Sequence, residues 1–289
     1  MVALRDIVIT GLLLGGLYAL VSVGMALQYG VARVLNVAHG EFIMLGAFLT
    51  FSLHIGAGMH PLWTLVVTGP AMFIIGFLLH KTLYKSLMHS SPTLDIFEGK
   101  SLLASFGLYY VVQNVGRMIW GADIEGYTYQ PLMGTVTAAR IPVNRLVALA
   151  FVVGISILFY LFLRYTRMGK AIRASAQDPT TAGLMGVNID NVLAICFGLG
   201  LAMAAWSGSL LSLIYQSITT SIGLEYTVYA MIVVVLGGLG SITGALAGGL
   251  ILGFVATVVQ YFKPSLVTIA FYAIFVILLI ARPKGLMGK

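Results

Sequence analysis

The chain of 289 residues is 60% hydrophobic and only 9% charged, against about 25% charged residues in an ordinary soluble domain, and its mean hydropathy is +1.01. No water-soluble fold hides that much apolar surface, so the composition excludes a soluble domain and points to a polytopic membrane protein. The net charge of +7 does not indicate nucleic-acid binding, because the basic residues are scattered at the ends of apolar runs, where they anchor and orient membrane helices.

Lipid offers a bare backbone no hydrogen bonds, so spanning segments are helices or closed barrels. Long unbroken apolar runs choose helices, and the 34 glycines suit helices that approach closely or break. Charges and turn residues cut the sequence into about nine apolar segments, near 7–29, 41–58, 62–80, 101–119, 143–163, 191–214, 226–237, 244–262 and 266–281. The first follows Arg5 and Asp6 and is longer than the core of a signal peptide, so it is expected to remain as the first span. The segment 226–237 is short enough to suggest a broken helix.

Lys and Arg set the expected orientation. Lys81, Lys85 and Lys100, then Arg164, Arg167, Lys170 and Arg173, then Arg282, Lys284 and Lys289 make up ten of the 16 basic residues, which places these three stretches in the cytoplasm. The connections 120–142 and 215–225, with Asp123, Glu125 and Glu225 against Arg140, then face outward. The N-terminus follows outward and Arg33 inward, unless a re-entrant segment near 30–45 inverts them.

Along the chain, the first polar constellation is Asn36, His39, Gly40 and Glu41. Asn36 is placed to cap the following helix with His39 or Glu41 completing the polar end, as an inner gate; direct substrate contact is the alternative. One His and one Glu are too few ligands for a metal. Tyr109, Tyr110, Gln113, Asn114 and Arg117 read equally as an interfacial belt and as a lining of the outer mouth.

The most informative stretch runs from Arg164 to Asn191. Asp178-Pro179 is a helix start signal, Ala182, Leu184, Met185 and Val187 give the short helix an apolar face, and Gly186 ends it. Such a helix either docks into a groove on a soluble motor subunit or lies on lipid headgroups. Cys196 sits alone in an apolar run and offers neither a disulfide nor a thiolate metal site. In Gly237, Gly238, Gly240, Ser241, Thr243 and Gly244, a break between helices either packs small residues tightly or exposes helix-end amides to a carboxylate. The regions 34–48 and 235–249 share a polar or glycine break before a small-residue helix, a weak trace of an internal repeat.

Three segments resemble the branched-chain amino acid ABC permeases: G-G-L-Y-A-L through L-N-V-A-H-G-E-F-I-M-L-G-A-F at 15–48, R-Y-T-R-M-G-K-A-I-R-A-S-A-Q-D with A-G-L-M-G-V-N at 164–188, and V-L-G-G-L-G-S-I-T-G-A-L-A-G-G at 235–249. The likeness runs from about residue 11 to the R-P-K-G-L at 282–286. It implies a permease paired with a second, related permease in a heterodimer, two ATPase subunits that bind ATP and Mg, and a periplasmic solute-binding protein. It also implies that 173–188 is a coupling helix touching the ATPase, with Arg173, Gln177, Asp178, Ala182, Leu184, Met185 and Gly186 at the contact. Thr243 stands where many relatives have proline and Tyr229 where several have lysine, which leaves urea, amides and aromatic acids open as cargo beside amino acids.

The expectation is an all-α bundle of about eight or nine spans, forming one permease domain over 1–289 in a bacterial-type inner membrane. The chain contains no G-x-x-x-x-G-K-[ST] phosphate loop, so it is no enzyme and carries no cofactor; hydrolysis belongs to a partner. Asn36, His39, Glu41, Tyr229, Gly237, Gly238, Ser241 and Thr243 are the candidates for the translocation path or gate. A motor-independent channel or secondary transporter would call for paired acids in mid-span. A membrane enzyme would call for a catalytic cluster inside the bundle, and neither pattern stands out.

Overall fold

The computed structural model describes residues 2–129, 135–136, 141–282 and 285–287. Arg140, Lys284 and Lys289 lie outside the described residues. Every one of the nine expected apolar segments is helical. In order these are α1 (Val2–Ala32), α2 (His39–Ala57), α3 (Leu65–Leu79), α5 (Leu94–Trp120), α6 (Val143–Tyr165), α9 (Ile189–Tyr215), α10 (Ile222–Gly237), α11 (Ile242–Phe262) and α12 (Val267–Ala281). The short α4 (Lys85–His89) continues α3 through one π-helical turn, and α7 (Arg167–Gln177) and α8 (Pro179–Leu184) join α6 to α9. Among the described residues, strand structure is limited to the two-residue pairing of Thr135–Val136 with Ile141–Pro142 and an isolated bridge between Glu125 and Ile218.

Seven of the helices are long and apolar enough to cross a membrane. Of the other two, α5 is 27 residues long but carries Asp95, Glu98, Lys100 and Arg117, and α10 has only 16 residues. The third segment runs further than its hydropathy suggests, as far as His89. Its Lys85 pairs with Asp190 at 2.5 Å and Lys81 donates to Asn191 at 2.5 Å, so the start of α9 neutralises the basic end of α3–α4.

Alternate connections fall at opposite ends of the bundle. The 81–100 stretch meets the start of α9, Arg173 donates to the Arg164 carbonyl at 3.4 Å, and Leu286 N–H reaches the Leu236 carbonyl at 2.8 Å, which gathers the basic stretches at one end. At the other end Glu125 and Ile218 exchange backbone hydrogen bonds of 3.0 and 2.7 Å, and Asp6 lines a cavity with Arg145 and Tyr215. The start of α1 therefore lies opposite the basic end, and its last turn lies at it.

Around α9, 83% of whose apolar window is buried, pack α1, α2, α3 and α6, while α12 at 6% is peripheral. The backbones of α1 and α11 lie close along their length, where a Cβ on Gly253 would fall 2.1 Å from Gly15 Cα and one on Gly249 2.4 Å from Ala19 Cα. Lipid is as apolar as the helices, so close packing through small residues, rather than a hydrophobic drive, holds such a pair. Gly154 of α6 has nothing within 4 Å of its Cβ position. We expect Gly253→Val to lower the thermal midpoint of the detergent-solubilised protein sharply, since over-packing a tight contact costs about 1–3 kcal/mol, while Gly154→Val leaves it unchanged; equal midpoints would refute this packing.

Candidate functional site

Three groups of polar residues emerge, and the first lies deeper than its sequence suggests. After α1 ends at Ala32, Arg33 adopts a left-handed φ of 54° and residues 33–38 return into the bundle without regular structure. A chain segment inside a bundle with no helical ladder needs side chains to take up its backbone groups. Ser105 of α5 serves Val37 N–H at 3.2 Å and the Leu35 carbonyl at 3.1 Å. Thr227 of α10 accepts from Gly40 N–H at 2.8 Å and donates to the Val37 carbonyl at 3.2 Å. Asn36 accepts from Ala38 N–H at 3.1 Å, a local Asx turn, and donates to Gln28 at 3.3 Å.

Asn36 thus braces the approach to α2, while the N-cap position itself belongs to Ala38. His39 meets the Val21 carbonyl at 3.1 Å through Nε2, which puts the start of α2 beside the middle of α1 rather than at a membrane edge. Neither Glu41 carboxylate oxygen has a hydrogen-bond partner among the described residues, and the group rests on Gly223 at the start of α10. Gly40 could not be larger, because its Cβ would sit 1.8 Å from the Gly223 carbonyl oxygen. Glu41 opens a helix, as the sequence suggests, but that helix begins in the interior.

The second group is at the basic end. Thr166 caps α7 by accepting from Gly169 N–H at 2.9 Å, and Ile172 and Ser175 turn inward. Asp178 caps α8, with Oδ1 accepting from Thr180 N–H at 2.9 Å and Thr181 N–H at 3.2 Å, and Pro179 takes the first helical position. The helix closes when Val187 N–H reaches the Ala182 carbonyl at 3.1 Å and Gly186 N–H the Gly183 carbonyl at 3.0 Å, with Gly186 at φ +86°, a Schellman ending. The expected apolar face is divided: Ala182 is buried and Val187 half-buried, whereas Leu184 and Met185 are 84% and 82% exposed. Arg173, Gln177 and Asp178 are exposed with them.

The glycine stretch is a tight turn at the same end. Ser241 caps α11 by accepting from Gly244 N–H at 3.0 Å, so that amide is occupied, and Gly237 and Gly244 lie back to back. Gly238 sits at φ +102°, and Met287 N–H bonds to the Gly237 carbonyl at 3.0 Å. Thr243 lines a small, mostly apolar cavity with Leu20 and Met203. The arrangement is one of close packing, and it shares neither a hydrogen bond nor a cavity with Glu41 or Tyr229.

Tyr229 belongs to a third group, at the opposite end. Its hydroxyl donates to Glu225 Oε1 at 2.6 Å and lies 3.4 Å from that of Thr268. Both residues wall a cavity of about 430 Å³ between α1, α10, α11 and α12, together with Tyr18, Tyr226 and Gln260. Reading the sequence singled out Tyr229 but treated Glu225 as part of an outward connection. The signal available was the i, i+4 spacing of Glu225 and Tyr229 on one helix face.

Comparison with known proteins fits this architecture. Residues 7–282 match the family described as branched-chain amino acid transport system / permease component. The chain belongs to that permease family. It is 31% identical over 294 residues to the high-affinity branched-chain amino acid transport system permease protein LivH of Salmonella typhimurium, covering 96% of this chain and 94% of the relative, and equally so to LivH of Escherichia coli K12. It is 28% identical to the permease protein BraD of Pseudomonas aeruginosa, covering 97% and 94%. Members of this ABC permease family are transport subunits and not enzymes, and they work with ATPase and binding-protein partners. With its apolar helices, the chain is a multi-pass membrane protein.

In this permease the α7–α8 segment owes its shape to Asp178, whose carboxyl is held below the usual carboxylate range by the hydroxyl and then the amide of Thr181. A depressed folded-state value means the cap acts in full above the unfolded value of about 3.9 and is lost as pH falls through the lower folded value. Hydrogen exchange at the Thr180 and Thr181 amides, corrected for intrinsic rates, should be slow at neutral pH and fast in Asp178→Ala; equal protection in both would contradict the cap.

Proposed function

We propose that the chain is the permease subunit of an ATP-driven importer of the inner membrane, moving branched-chain or other neutral amino acids, or related small polar solutes, delivered by a periplasmic binding protein. The basic end faces the cytoplasm, as the excess of Lys and Arg there favours. Nine helices cross, with α5 and the shortened α10 joining the seven long apolar ones. The polar or glycine breaks at 33–38 and 238–241, each followed by a helix rich in small residues, are the trace of an internal repeat. A second, related permease completes the pore against this one.

One observation carries the reading: Leu184 and Met185 stand 84% and 82% exposed at the basic end on a helix capped at both termini, beyond reach of the chain's own core. Exposed apolar side chains on a rigid stub suit a groove on a soluble partner. Since the sequence lacks a phosphate loop, ATP and Mg sit in two ATPase subunits, and their closure pushes on 173–188. Alternating access then moves solute without any covalent step. A secondary transporter would use paired intramembrane acids, whereas Glu41 is the one fully buried carboxylate among the described residues. Urea, amides or aromatic acids are the alternative cargo within the same permease family.

Joint substitution of Leu184→Asp and Met185→Asp should leave the amount of permease in the membrane unchanged. It should cut ATPase copurification on the order of tenfold, the effect of losing about 1.4 kcal/mol of docking energy, and uptake of labelled leucine with it. Normal copurification and uptake would overturn the coupled reading.

A further inference from the structure

We propose that the cavity beside Tyr229 is a docking site for the ammonium group of a small solute, with Glu225 as its counter-ion. The proposal rests on the importer reading and narrows its cargo. The cavity, at about 430 Å³, falls within the range of small-molecule sites, which pair apolar walls with a few convergent polar groups. Leu14, Ile222, Ala256 and Val267 give it apolar lining, fit for an aliphatic chain. Ser217, Thr219 and Ser221 also line it; Ser217 donates to the Tyr215 carbonyl at 3.4 Å, and the Thr219 and Ser221 hydroxyls share a hydrogen bond of 3.1 Å, which leaves one of that pair a proton to give a carboxylate or carbonyl.

Charge decides the solute class. Glu225 is the one charged residue among the cavity's described walls, and it is exposed there rather than shielded. Its Oε1 accepts from Tyr229, which fixes the carboxylate, and Oε2 has no hydrogen-bond partner among the described residues. The tyrosines are themselves locked in an edge-on cluster: Tyr18 to Tyr229 at 5.8 Å, Tyr226 to Tyr229 at 5.8 Å and Phe271 to Tyr229 at 4.8 Å between ring centroids. Aromatic faces attract a cation and repel an anion. Arg145 and Asp6 line an adjoining cavity of about 200 Å³ that shares Leu14, Tyr215 and Gln260, and the exposed Lys263 precedes the lining residue Pro264, but neither cation is among the described walls of the Glu225 cavity. An amine or zwitterion finds a partner here, and a carboxylate without an amine meets like charge. The aromatic acids left open by resemblance are thereby disfavoured as cargo.

Cysteine chemistry on the assembled transporter tests this. The native Cys196 is fully buried and stays silent, while Thr268 is exposed on the cavity wall. We expect Thr268→Cys, with Ser221→Cys as a second reporter, to react about tenfold faster with the aminoethyl methanethiosulfonate cation than with the sulfonatoethyl anion, each rate taken relative to free cysteine. Adding Glu225→Gln, which keeps an oxygen for Tyr229, should erase that preference. Millimolar leucine should protect the cysteine, and 4-methylpentanoate, the same skeleton without the amine, should not. A preference unchanged by Glu225→Gln, or equal protection by both compounds, would overturn the site. Failure of the importer reading shows separately, as leucine uptake that persists when the ATPase is inactivated.

Discussion

The constraint on which the structure depends is that a backbone inside a membrane bundle must find every hydrogen bond within the protein. Residues 33–38 leave the helical ladder and still lie deep in the fold. They can do so because the side chains of Asn36, Ser105 and Thr227, drawn from the segment itself and two helices, take up backbone groups there, while Gln28 of α1 holds Asn36 in place. With those partners in place, α2 starts next to the middle of α1, and Glu41 is carried into the interior with it. Its buried carboxyl, at the contact between α2 and α10, has no hydrogen-bond partner among the described residues.

Close approach supplies the rest of the cohesion. Where α1 meets α11, and where Gly40 meets Gly223, backbones touch in place of side chains. Such contacts leave no slack, so helices joined through them move as units. The peripheral α12 and the face of α6 around Gly154 make few such contacts.

Work is divided between the two ends. At the basic end, α7 anchors into the bundle through Ile172 while α8 holds Leu184 and Met185 away from it, which is the shape of a lever with a fixed root and a free tip. At the opposite end a tyrosine-walled cavity holds a single carboxylate at the start of α10. The two are linked along α10, which runs from Glu225 to the glycine turn at 237–241 beside the basic end. A weak, open site of this kind suits a path that must release what it accepts.

The sequence by itself determined what the membrane imposes locally. Apolar run length, the gathering of Lys and Arg, and the cap signals at Asp178-Pro179 and Gly186 depend on neighbours a few residues away, so helices, connections and the capped α8 stub were legible one by one. Membership of the permease family was legible too, because three motif-bearing segments span most of the chain. Tertiary structure alone decided depth and convergence. Hydropathy places Glu41 at the end of a span, since it cannot register that Ser105 and Thr227, some 70 and 190 residues from Val37, hold the chain inside. Nor can it show that Tyr18, Tyr229 and Thr268 meet around Glu225, because a cavity exists only once four helices have packed.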